Sequence, residues 1–166
     1  MNGGKMDFFE FALEMEKKTI ESYRELAEKC QSNEGVKNIL LMLADDHEKH
    51  TQTLLGMKNK TAGAMEETEA FRNARQVFTN MQKEKEPFTC DLDQVKLYED
   101  ARDLVLEKIK FYTDFAEKME EEDRALVEKM AEEEKKQATV LENIIEMVRR
   151  PETWLEDAEF HHLDEY

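Results

Sequence analysis

Apolar residues recur every three or four positions over most of the chain, the spacing that lines one face of an α-helix. The first such stripe is Phe9, Leu13, Glu16, Ile20, Tyr23, Ala27 and Cys30, a four-three alternation suited to bundle packing. It predicts a helix from Asp7 to Cys30, with Asp7 and Glu10 at capping-box spacing. Gln31 to Glu34 reads as a short turn. A second helix follows to Leu55, with Gly56 as its stop. Its stripe runs Val36, Leu40, Leu43, His47, His50, Leu54, Met57, so two histidines stand where apolar residues are expected. A third long stripe is Val95, Tyr98, Arg102, Val105, Ile109, Tyr112, Ala116, Met119, on a helix starting at Asp91, where Asp91 and Gln94 repeat the capping spacing. After a turn at Glu120 to Asp123, a fourth helix reaches Arg149 with the stripe Val127, Met130, Glu134, Gln137, Leu141, Ile144 or Ile145, Val148.

Between the two pairs, residues 57–90 form a crossover. Asn59 to Ala64 is polar and loop-like, whereas Ala70, Phe71, Ala74, Val77, Phe78 and Met81 make one shorter amphipathic helix before Pro87 breaks the chain. Short links join long helices into antiparallel hairpins. Hairpin, long crossover, hairpin is the connectivity of a ferritin-like bundle. The expected fold is therefore all-α: an antiparallel four-helix bundle over residues 1–150, followed at 151–166 by a short helix and tail in which Trp154 packs back on the bundle.

Composition narrows the function. The 166 residues carry a formal net charge of −16. That excludes nucleic acid as an expected partner, because no basic patch is available to neutralise phosphates. No apolar run reaches about 18 residues, so no membrane-spanning helix is expected, and Met1 to Lys5 lacks the apolar core of a signal peptide. Cys30 and Cys90 are isolated, which reads as reduced thiols in a cytoplasmic protein.

The chemistry lies in the polar interruptions of the stripes. His47 and His50, three apart, share one helical face directed at the core. Glu134 and Gln137 hold the corresponding places on the fourth helix. The halves match elsewhere: Glu16 lies seven residues before Tyr23, and Val105 seven before Tyr112. A duplicated helical hairpin accounts for both correspondences. Buried imidazoles and carboxylates need either a metal ion or one another. Glu16, His47, His50 and Glu134 are thus candidate metal ligands, with a hydrogen-bonded polar core as the alternative. Tyr23 and Tyr112 are either donors to a ligand carboxylate or amphipathic core residues.

On these residues the chain resembles the rubrerythrin-like branch of the ferritin-like superfamily. Its first half is matched by Glu14 to Ala27 and Leu43 to His50, its second by Leu106 to Tyr112 and Met130 to Gln137. The resemblance implies two irons held by a Glu on the first helix of each hairpin and a Glu-x-x-His on the second, serving peroxidase, oxidase or iron-handling activity. Carried over position by position, the first Glu is Glu16, the first Glu-x-x-His is His47-x-x-His50, the third-helix Glu is Val105, and the second Glu-x-x-His is Glu134-x-x-Gln137. One metal position thus keeps Glu16, His47, His50 and Glu134, and suits iron, zinc or manganese. The other is left with Val105 and Gln137. The resemblance so altered implies one ion per chain in a metal-binding protein of redox or metal-handling ancestry. Two further readings stand beside it: a metal-free interaction bundle, and a functional diiron oxidase or peroxidase. If the protein is an enzyme, it is a non-haem iron oxidoreductase whose electron donor the sequence does not identify. The extra helix in the crossover suggests a homodimer.

Overall fold

The computed structural model describes residues 3–30, 33–60, 70–84, 95–150 and 154, with side chains described from Phe8 in the first helix and from Arg72 in the third. Among the described residues, five helices follow one another: α1 (Gly3–Lys29), α2 (Glu34–Lys58), α3 (Ala70–Glu84), α4 (Val95–Ala116) and α5 (Glu121–Arg149). Helices α1 and α2 pack as one hairpin and α4 and α5 as the other. The hairpins meet through α1 on α4 and α2 on α5, while α3 lies across α2 and α5. The described residues are helical, as the stripes predict, and match a ferritin-like helical bundle.

Local chemistry explains the helix ends. Asn33 is extended and its side chain accepts a hydrogen bond from the Val36 amide at 3.0 Å, satisfying one of the free donors at the start of α2. At the α4–α5 turn, Arg124 donates to the Ala116 and Met119 carbonyls at 3.1 and 3.2 Å, covering acceptors at the end of α4 and in the turn that no helix bond uses. Glu121, Glu122 and Asp123 open α5, where negative charge suits the positive end of the helix dipole. Gly35 is required by a close approach: a Cβ there would stand 2.8 Å from Val77 Cγ1 on α3.

Four boundaries differ from the sequence expectation, one of them the end of α4, which stops at Ala116 before the last stripe residue, Met119. Helix α1 runs through Asp7 rather than starting there. Gly56 does not stop α2, which continues to Lys58 with Asn59 as its C-cap, because Met57 is still buried in the core. Helix α5 begins at Glu121, inside the expected turn. The expected capping pair Asp91 and Gln94, most of the crossover loop, and the tail after Trp154 lie outside the described residues. Trp154 itself is buried; its ring meets Phe78 edge-on at 5.8 Å and its indole N–H donates to Asn143 Oδ1 at 3.1 Å. The expectation of reduced thiols is corrected at Cys30, which is buried and disulfide-bonded. Cys90, the other cysteine of the sequence, is outside the described residues.

Among the described residues, the core is divided in two. One apolar cluster gathers Tyr23, Leu40, Leu43, Tyr98, Val105, Leu141 and Ile144 with their neighbours. The other gathers Phe8, Phe9, Leu54, Met57, Tyr112, Val127 and Met130. Along every bundle helix the residues between these clusters are polar: Glu16 and Thr19 on α1, His47 and His50 on α2, Lys108 on α4, Glu134 and Gln137 on α5. A buried polar layer crosses the bundle between two hydrophobic blocks.

Candidate metal centre

The layer exists because each helix breaks its apolar stripe at the same height. Glu16, His47, His50 and Glu134 all have no exposed surface. Each offers one ligand atom, and these atoms lie within 4.8 Å of one another. The four sequence candidates are thus brought to one point from three helices.

His47 Nδ1 lies 2.5 Å from Glu16 Oε2 and 3.5 Å from Glu134 Oε1. His50 Nδ1 is 3.5 Å from Glu134 Oε1 and 3.8 Å from Glu16 Oε1, too far for good hydrogen bonds. Among the described residues, both ring nitrogens of His50 and Oε2 of Glu134 receive no hydrogen bond. Buried polar atoms left unpaired are costly.

Tyr112 donates its hydroxyl to Glu16 Oε1 at 2.6 Å, so it does contact a candidate ligand. Tyr23 instead donates to Gln137 Oε1 at 3.0 Å, and the same oxygen faces His47 Nε2. Gln137 is thereby an acceptor that orients His47, leaving Nδ1 of that ring toward the carboxylates. Val105 is buried in the apolar cluster and offers no donor atom.

Lys108 was not among the sequence candidates, and the structure buries it completely. Its Nζ lies 2.7 Å from Glu134 Oε1, 2.9 Å from Glu16 Oε1 and 2.9 Å from His47 Nδ1, and donates to Thr19 Oγ1 at 3.2 Å. Position 108 is one turn after Val105 and one before Tyr112, so it belongs to the inward face of α4. Ile109, placed on that face by the stripe, is only half-buried. A lysine at this spacing was the available signal, and its residue type disguised it as surface.

Electrostatics follow from this packing. Burial pushes Glu16 up, but Lys108 and His47 outweigh it and hold the carboxyl well below its usual range. Glu134 is also lowered: burial opposes, and Lys108 and then His47 prevail. His50 is disfavoured as a cation by burial, yet the carboxylates of Glu134 and Glu16 raise it to about 9. Burial, followed by these same carboxylates, lifts Tyr23 and Tyr112 well above the ordinary phenol range, so both act as neutral donors.

The fold and this layer define a class: a ferritin-like helical bundle with a buried carboxylate–histidine cluster. A model of the rubrerythrin family matches residues 7–145, and the chain belongs to that family. Neither a curated protein nor a solved structure matches it.

The layer can be tested against the irons that the family resemblance implies. The unpaired His50 nitrogens and Glu134 Oε2, beside Glu16, form a donor set that fits one divalent ion. A second ion does not fit. Val105 supplies no ligand, and the Gln137 oxygen already accepts from Tyr23.

Proposed function

We propose that this chain is a metal-binding protein that holds one divalent ion per bundle, with Glu16, His50 and Glu134 as ligands and His47 Nδ1 as the fourth. The observation that carries this reading is the convergence of four fully buried donor side chains, with His50 left without any hydrogen bond. A bound iron, zinc or manganese ion would supply a Lewis-acid or redox centre. The protein's part is to position it. Tyr112 fixes one oxygen of Glu16, Gln137 fixes the ring of His47, and the two apolar blocks keep water from the layer. With no second position, handling or storing a single ion accords with the residues better than two-metal oxidase or peroxidase chemistry.

A second reading has its own support. Lys108 and a protonated His50 match the two carboxylates in charge, so the layer is balanced without any metal, as a purely structural bundle requires. Elemental analysis of tag-free protein separates the two. The expected result is near one divalent ion per chain, reduced to background in His50→Ala. Background metal in the unaltered protein, with melting unaffected by chelator, would establish the structural reading. Two ions per chain would overturn the account of Val105.

No helix among the described residues is long and apolar enough to cross a membrane. The cytoplasmic expectation rested partly on isolated, reduced cysteines, and the disulfide at Cys30 removes that support.

A further inference from the structure

A lysine buried among metal-ligand residues is chemically out of place. An ammonium has three protons to donate and no lone pair, so it cannot ligate a metal and repels one. Lys108 nevertheless reaches three of the four candidate ligands and Thr19, all within 3.2 Å. His50 is the candidate it does not bond, and His50 is the one whose ring nitrogens are unpaired. Neighbouring residues hold the ammonium in place: Thr19 accepts from it, while the Thr19 hydroxyl is itself anchored on the Met15 carbonyl at 2.8 Å.

The opposing effects can be weighed. Two carboxylates with no exposed surface, both facing one imidazole, are unfavourable without positive charge beside them. A metal ion could provide that charge, and so does Lys108. Both draw on the same two carboxylates, and the ammonium already lies on Glu16 Oε1 and Glu134 Oε1. A divalent ion held by those carboxylates would stand within a few ångströms of a positive ammonium, in an interior where Coulomb repulsion is weakly screened.

We propose that Lys108 is a resident cation that competes with a divalent metal ion for Glu16 and Glu134, making the centre a reversible metal site that stays folded when empty. The ammonium keeps the carboxylates compensated without metal and lowers affinity for any ion that arrives. Such a site takes up and gives back its ion without local unfolding. This inference rests on reading Glu16, His50 and Glu134 as ligands, and the experiment separates the two claims.

The test is a cobalt(II) titration, followed by visible ligand-field absorption and by melting temperature, of the unaltered chain and Lys108→Met. Methionine is unbranched and only one atom shorter than lysine, and it removes the charge. Lys110→Met, on the exposed side of α4, controls for the change in net charge. The expected result is at least a tenfold tighter cobalt dissociation constant in Lys108→Met, with no such change in Lys110→Met. Without metal, Lys108→Met melts lower than the unaltered chain, and cobalt raises its melting temperature by the larger amount. If Lys108→Met is recovered folded only with cobalt present, the same conclusion holds in stronger form. Equal or weaker cobalt affinity in Lys108→Met overturns the proposal, as does a variant that cobalt does not restore. Cobalt binding by the unaltered chain with no gain in the variant would leave the metal-site reading standing and remove the competition. Cobalt binding only in the variant would keep Lys108 as the excluding cation but overturn reversible loading of the unaltered chain.

Discussion

Glu16 is held from three directions: Tyr112 and Lys108 on one oxygen, His47 on the other. Removing the Tyr112 hydroxyl leaves that oxygen with one partner fewer in a layer closed to water. Tyr112→Phe is expected to cost about 1–3 kcal/mol, as charged-acceptor hydrogen bonds do, measurable by denaturant titration; a loss below about 0.5 kcal/mol would show that Lys108 alone satisfies Glu16. His50 gives the centre a pH dependence of definite sign. Its folded value of about 9 lies above the ordinary 6.5, so its stabilisation is fully present below pH 6.5 and is lost as pH rises through 9. The shift corresponds to roughly 3 kcal/mol. Glu16 and Glu134 are shifted the other way; their contribution is present above 4.5 and falls away on acidification. Chelated protein should therefore melt at lower temperature at pH 9.5 than at pH 6, and His50→Gln should lack that decline. A flat profile for the unaltered chain between those values would contradict the charge assignment.

At the scale of single helices, α2 shows how a cap and a core cooperate. Asn33 is buried and satisfies the Val36 amide, which no carbonyl of the helix can reach. Asn33→Ala is expected to lower stability by about 1 kcal/mol, with Asn33→Asp largely sparing it; thermal melting of the two variants checks the difference. The stripes on α1, α2 and α5 were legible because their inward residues are mostly apolar, and the exceptions, Glu16, His47, His50 and Glu134, fall on the stripe's spacing. On α4 the same reading chose Ile109 over Lys108. The reason is physical: the partners that draw Lys108 inward are Glu16, Thr19, His47 and Glu134, all on other helices and far away along the chain. Local periodicity contains no trace of them. Gly56 was misread as a stop for a related reason, since burial of Met57 extends α2 beyond what helix propensity favours.

For the molecule as a whole, the doubled hairpin was visible in the matching offsets of Glu16 with Val105 and His47 with Glu134, and that correspondence carried the fold. The state of Cys30 was not visible, because isolated cysteines do not announce a bridge. Thiol titration in denaturant should find no reactive thiol before reduction and both cysteines of the sequence afterwards. One reactive thiol per chain without reductant would refute the bridge. The polar layer also constrains how the hairpins can meet. Two purely apolar faces could slide past each other by one helical turn, about 5.4 Å, and still bury similar area. Here such a slip would carry Glu16 and Lys108 apart and press Glu134 against Leu43 of one apolar block or Leu54 of the other. The ion pairs at mid-height thus act as an index mark. They fix the axial register of one hairpin against the other, and with it the alignment of every donor in the layer.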